Sequence, residues 1–476
     1  MSKRFPASLY NWISMAGVLV TLLAFGAFVV LVLLEQTSSQ SSPYLGILTF
    51  LIVPIFLILG LALIPLGMWR YRKRHQAGAK YPLVDFGDPK VRASFWTFAL
   101  GTAGLMLLSG FGSYRLYEFS ESNVFCGETC HTVMEPEYVA HQQGPHAEID
   151  CVGCHVGEGI DSYVHAKMSG VRQLFKAVGG TYAKPIPTPV HNMRSPEGTC
   201  LNCHDMDQMG TKFKRYTHFF GDEENQPEWS YDLLFDLDGT KGISKGVHWH
   251  IKEPVDILRD PEDPNKVQAV RITQADGSER LFIKGKDRTI DPNAEWKRMD
   301  CLDCHNRPAH RYERPARLID GLLADGTLDK GLPNIKSNAR NILEQAADQE
   351  TREAGLNLIA AADFSPQSSD AATVQSIKDA LSQLYASQMF PGMKVDWRTH
   401  YNYGGHQVFP GCMRCHDGKH KDDTGKAIPD DCETCHSITR IKGGDQIETG
   451  TSLEFKHPDG EEDWMDDGCW DCHGPE

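Results

Sequence analysis

Three long apolar runs open the chain and are followed by mixed, short-range patterning to its end. Ile13–Leu34 and Leu45–Trp69 are each long enough to cross about 30 Å of hydrocarbon, and Phe95–Tyr114 just reaches. The pattern therefore predicts three transmembrane helices, about 13–34, 45–69 and 95–114. A cleaved signal peptide is the alternative for the first run, but only LLEQTSSQSS follows it, without a small-x-small site. Beyond residue 114 the periodicity changes. VQAVRITQADGSERLFI places two alternating runs around Asp276-Gly277, a hairpin signal. Pro333–Met389 is rich in Ala, Leu, Gln and Glu and predicts two or three helices. One is Ala371–Tyr385, with Val374, Ile377, Leu381 and Leu384 at helical spacing.

Lysine and arginine orient the apolar runs. The loop between the second and third carries Arg70, Arg72, Lys73, Arg74, Lys80, Lys90 and Arg92, and the N-terminus Lys3 and Arg4, whereas residues 36–44 carry no base. Basic loops stay in the cytoplasm, so the expectation is a cytoplasmic N-terminus and an exported segment after Tyr114, in the bacterial inner membrane and periplasm.

The cysteines decide the chemistry. All 14 fall into seven pairs: Cys126/Cys130, Cys151/Cys154, Cys200/Cys203, Cys301/Cys304, Cys412/Cys415, Cys432/Cys435 and Cys469/Cys472. Each pair is followed at once by a histidine, namely His131, His155, His204, His305, His416, His436 and His473. Cys-x-x-Cys-His reads as covalent attachment of c-type haem, with the histidine as proximal iron ligand. Zinc is the rival, but it needs two such pairs per metal and asks nothing of the next residue. A redox dithiol likewise does not explain the histidine. The first motif, CGETCH, has one residue more between its thiols and lies nearest the membrane. Seven covalently bound c-type haems are expected. They predict a mainly α-helical and irregular multihaem fold, with a small β-hairpin insert and a helical insert. The expected segments are an anchor (1–114), a three-haem segment (115–220), a β-containing insert with the fourth haem (221–330), a helical insert (331–390) and a C-terminal three-haem segment (391–476).

An iron used only for electron transfer has both axial positions filled. After the proximal histidines and His75, twelve remain, of which His146, His191, His250, His310, His406 and His457 are the preferred distal ligands. Met134, three residues after His131, is a candidate second ligand for the first haem, where a thioether raises the potential. No phosphate loop or Ser/His/Asp constellation is present, and nothing suggests nucleic-acid binding. Net charge is −15, and the last motif sits in EEDWMDDGCWDCHGPE. That tail is either a solvated terminus or a docking face for a basic periplasmic cytochrome.

CGETCHTVMEPEYVAHQQGPH, DCVGCHVGEGIDSYVHAKMSGVRQL, YAKPIPTPVHNMRSPEGTCLNCH and GVHWHI resemble the NapC/NirT type of membrane-anchored multihaem cytochromes. The seven-haem arrangement is similar to the inner-membrane version of the ImcH type. The resemblance is most specific over residues 110–220. It implies menaquinol as substrate, drawn from the membrane quinol pool, a quinol site beside the first haem, and electron delivery to a periplasmic cytochrome or reductase in anaerobic respiration. It also implies site residues Lys167, in HAKMSG, with Asp161 or a carboxylate such as Glu135. Four-haem members have one anchoring helix and a regular first motif, unlike this chain. From the residues alone, quinol is confined to the bilayer, and the stretch holding Glu118, Glu121, Glu128, Glu135 and His141 supplies bases beside the nearest haem. The alternative function is a multihaem reductase of a small oxyanion fed by a periplasmic donor. A structural or metal-storing protein is a third reading.

Overall fold

The computed structural model describes residues 11–37, 52–75, 87–128, 131–157, 159–188, 194–220, 226–239, 246–285, 290–291, 293–458, 460 and 468–473. Lys3, Arg4, Lys80, Cys130, His191 and the acidic residues 461–467 therefore lie outside the described residues, as do the side chains of His131 and Thr132. The chain forms two compact units, Met1–His131 and Thr132–Glu476.

The first unit is helical, with α1 (Trp12–Thr37), α2 (Val53–His75) and α3 (Pro89–Glu121). Among the described residues two helices are long and apolar enough to cross a membrane, Trp12–Leu31 and Val53–Arg74. Their large side chains, such as Leu22, Leu23 and Ile58, face outward. Their contact surface is instead made of small residues. A Cβ on Gly60 would stand 2.5 Å from Thr21 Oγ1, and one on Gly17 would stand 2.8 Å from the Gly60 carbonyl. Ser14 Oγ donates to the Ile64 carbonyl at 2.9 Å. Where lipid offers no hydrophobic drive, close packing and interhelical hydrogen bonds hold helices together. Gly60→Val is accordingly expected to cost about 1–3 kcal/mol by overpacking, read as a lower thermal midpoint of the detergent-solubilised protein. The third run lies inside α3, which outruns it at both ends.

The second unit departs from the expectation of a mainly irregular fold with one small hairpin. It contains two antiparallel sheets. The Asp276-Gly277 hairpin is present, as β4 (Val267–Thr273) and β5 (Glu279–Lys284), with Gly277 at φ +83. It is the centre of a five-stranded sheet of order β6-β3-β4-β5-β7 with β3 (Val255–Arg259), β6 (Lys297–Arg298) and β7 (His420–Lys421). The other sheet, of order β1-β2-β8-β9, pairs β1 (Thr211–Phe219) and β2 (Glu228–Asp236) with β8 (His436–Gly443) and β9 (Gln446–Thr449). Arg215 faces Asp232 across β1 and β2, and their side chains pair at 2.6 Å. Because the second sheet joins residues near 215 to residues near 440, the segments expected at 115–220, 221–330 and 391–476 are parts of one body. The boundary expected at 114 falls within α3.

Helices α4 (His131–Gln142), α5 (Gly159–Val178) and α6 (Pro315–Ala324) precede the helical insert, which holds three helices, α7 (Ile335–Ala347), α8 (Arg352–Ala361) and α9 (Ala371–Gln388), within Pro333–Met389; α6 packs onto them. Ile319, Leu343, Ile359, Ile377, Leu381 and Tyr385 meet in its core, joined by Phe219 from β1. Asp370 caps α9 by accepting from Thr373 N, which satisfies one of the orphan donors at a helix start. A buried Lys336–Asp320 pair at 2.6 Å ties α7 to α6, and Asp320 also accepts from Phe219 N. This core contains no cysteine pair and serves as scaffold.

Candidate haem sites

Each described cysteine pair occupies one turn of helix. Cys151–His155 and Cys469–His473 are short α-turns; Cys301–Asp303, Gly411–Arg414 and Cys432–Thr434 are 3₁₀ turns. The histidine amide closes the turn onto the first cysteine carbonyl, at 2.9 Å for His204, 2.8 Å for His305 and 3.1 Å for His416. Residues three apart on a turn are neighbours, so both thiols emerge together with the histidine next to them.

Each of the six described motif histidines faces a second imidazole. Ring centroids stand 6.3 Å apart for His155–His310, 6.1 Å for His204–His146, 6.2 Å for His305–His248, 5.8 Å for His416–His250, 6.2 Å for His436–His406 and 6.0 Å for His473–His457. An ion held at about 2 Å from one nitrogen of each ring spaces the two centroids by roughly 6 Å. The gaps fit one iron each.

Hydrogen bonds aim the rings. Nδ1–H of His310 donates to the Glu137 carbonyl at 2.9 Å, that of His146 to Pro308 at 3.2 Å and that of His250 to Val247 at 2.9 Å. His416 does the same to Pro429. Engaging Nδ1 leaves Nε2 for metal and fixes the ring plane. The buried Nδ1 atoms of His248, His406 and His436 have no hydrogen-bond partner. Burial lowers the pKa of His155, His248, His250, His305 and His406, and brings His310 and His436 to about 4. These rings are therefore neutral at physiological pH, the form that ligates iron.

The thiols point the same way. Burial pushes Cys200 up to about 11, and Cys304, Cys415 and Cys435 to about 12. A redox dithiol or thiolate ligand is favoured by a lowered pKa, whereas a thioether carries no charge to desolvate. The pairs also form a chain. Cys154 feels the charge of Cys203 and Cys200 that of Cys154, and Cys200 is in hydrogen-bond contact with Cys301. Cys304 feels Cys412 and Cys415, Cys435 feels Cys412, and Cys469 feels Cys432. Motifs two to seven thus neighbour one another in sequence order. The loop after motif four binds three of them together: it supplies His305 to its own site, His310 opposite His155, and the Pro308 carbonyl that aims His146.

The motif thiols differ in exposure. Cys472 of motif seven stands at the open end of the range. It is exposed, as are Cys203 and Cys432, while its partner Cys469 is half-buried. Arg314 donates to the His473 carbonyl at 3.0 Å, at the end of the turn Cys469–His473. His191 lies outside the described residues. His248 was passed over in favour of His250 although both stand in GVHWHI; the two serve adjacent sites, opposite His305 and His416. His141 is buried and lies 6.1 Å from His310, the imidazole opposite His155. Met134 lies three residues beyond His131, one turn further along α4. Glu135 is held in an ion pair with Arg352 at the start of α8. Asp161 is exposed in the first turn of α5, and Lys167 lies further along that helix, half-buried, with its ammonium 5.0 Å from the centre of the Tyr163 ring.

Thiol pairs with adjacent histidines, each faced by a second imidazole across an iron-sized gap, define a c-type cytochrome that carries covalently bound haem. The chain is 38% identical over 489 residues to the cytochrome c-type protein ImcH of Geobacter sulfurreducens, covering 99% of this chain and 96% of that protein. It belongs to the ImcH family. No family model matches it, and no solved structure does.

Proposed function

We propose that this protein oxidises menaquinol at the membrane and relays the electrons through seven c-type haems to a periplasmic acceptor. The observation that carries the reading is the series of six imidazole pairs on thiol pairs that neighbour one another in order from motif two to motif seven. With haem bound at each pair, such a series would supply a path for electrons, and both imidazoles of each pair would be available to hold its iron. CGETCH supplies the seventh haem and the entry point, since it follows the membrane helices most closely in the chain. The run 95–114 within α3 is the third crossing, and the basic residues Arg70–Arg74 keep that loop cytoplasmic, which leaves the haem-bearing segment in the periplasm, where a basic soluble cytochrome is the expected acceptor.

Quinol oxidation releases two protons with two electrons, and a base must accept protons as a haem accepts electrons singly. Lys167 and Asp161, both on α5, are the proposed pair. The ion pair of Glu135 with Arg352 favours Asp161 as the acid. When bound, the haems supply one-electron redox chemistry; the residues that aim and enclose them are His310, His146, His250 and the carbonyls that orient these rings. Lys167→Gln is expected to slow reduction of the full-length protein by a menaquinol analogue about tenfold or more, the scale of 1.4 kcal/mol in barrier. Full reduction by dithionite should be unchanged, with absorption of the reduced c-haem followed anaerobically. Equal rates for the two proteins would remove Lys167 from the site. Absence of reduction by quinol in both would remove the quinol reading itself and bring forward an oxyanion reductase fed from the periplasm.

A further inference from the structure

Helix α5 (Gly159–Val178) is amphipathic in the reverse sense for a soluble protein. Helices of globular proteins turn their apolar stripe to the core. In α5 the half-buried positions are Ser162, Tyr163, Ala166, Lys167, Ser169, Leu174 and Ala177, of which Tyr163 and Leu174 alone are large and apolar or aromatic. The outward stripe runs Val164, Met168, Val171, Phe175 and Val178, at helical spacing along one face, with Met168 66%, Phe175 74% and Val178 73% exposed. Contiguous exposed apolar surface of this kind marks an interaction site.

One flank of the stripe is basic: at 100° per residue the exposed Arg172 and Lys176 lie along the same side of it. Aliphatic stems that run beside an apolar stripe while their charged heads reach outward are the arrangement for anionic headgroups. The chain is also tethered to a bilayer by α1 and α2, which keeps that surface at high local concentration. We propose that α5 is an interfacial helix. Its Val164–Val178 stripe enters the boundary between headgroups and acyl chains of the outer leaflet, with Arg172 and Lys176 on anionic phospholipid. Such helices bury their apolar face about 5–10 Å into that boundary. The inference rests on the membrane anchor and is independent of which molecule donates electrons.

The test uses the full-length holoprotein in nanodiscs of phosphatidylglycerol and phosphatidylcholine. A photoreactive benzophenone amino acid replaces Phe175 in one sample and Gln173, on the opposite face, in another. After irradiation, the peptide carrying position 175 is expected to gain the mass of one phospholipid, with phosphatidylglycerol over-represented, and the peptide carrying position 173 is not. Four results would overturn the proposal: cross-linking of position 175 to a second protein chain, cross-linking to the protein's own polypeptide or haem, lipid adducts at both positions alike, or no lipid adduct. A lipid adduct at 175 in a protein that menaquinol fails to reduce would leave the interfacial helix standing and remove only the quinol reading.

Discussion

Replacing His248 by alanine is expected to convert one haem to the high-spin state and to slow reduction of the haems beyond it. His248 stands 6.2 Å, centroid to centroid, from His305, and its ring is kept neutral by burial. Its removal would leave His305 as the one imidazole at that site to hold a haem iron. Reduction of the last three haems by a quinol analogue should then slow by about tenfold or more, equivalent to at least 1.4 kcal/mol. His420→Ala is the matching control. His420 is fully buried, but its Nδ1 engages Asp417 at 2.9 Å and its Nε2 the Val267 carbonyl at 3.1 Å, which leaves no nitrogen for iron. Its loss should destabilise the five-stranded sheet while every haem stays low-spin. Magnetic circular dichroism separates the two outcomes, and a high-spin signal in the His420 variant alone would reverse the assignment.

The largest expected effect on stability comes from Asp303→Ala. Asp303 lies between the two cysteines of motif four and is fully buried. It pairs with Arg259 and with Lys297 at 3.1 Å, and it accepts from Asp300 N at 2.8 Å to complete a capping box. Its carbonyl accepts from Arg414 of motif five, whose guanidinium stacks 4.1 Å from the centre of the Tyr403 ring. One carboxylate therefore holds the turn that presents the fourth pair of thiols. Removing one partner of a buried ionic network costs about 3–5 kcal/mol; the low end applies because the Lys297 side chain is 45% exposed and can reach water. The variant is expected to lose thermal stability and to carry less than its full complement of haem by pyridine haemochrome assay, whereas Asp303→Asn, which keeps the shape and part of the hydrogen bonding, should be milder. Equal stability of both variants and the parent would show that the network contributes nothing.

The parts legible in the sequence were those encoded over a few residues. The attachment motifs are local, and so are the Asp276-Gly277 turn and the α9 periodicity, and each is found where the pattern put it. The distal pairings are a different kind of information. His155 meets His310, and His204 meets His146, through folding of distant segments, and no spacing rule links them. Nor could spacing divide the two histidines of GVHWHI between neighbouring sites. The sheets were missed for a related reason. β2 closes on β8 some 200 residues later, and its inner face is dictated by a strand that begins at the motif histidine His436. Exposure of a thiol is equally non-local: the motif of Cys472 reads like the others, and only the elements packed around each turn separate it from Cys415.

The most direct test of the haem relay is low-temperature electron paramagnetic resonance of the fully oxidised, full-length protein. The account predicts low-spin ferric signals from the six sites where imidazoles face each other, none of them altered by nitrite or another small anion. A high-spin ferric signal from any of these six sites, shifted on addition of such an anion, would contradict it and make that iron a site of substrate reduction.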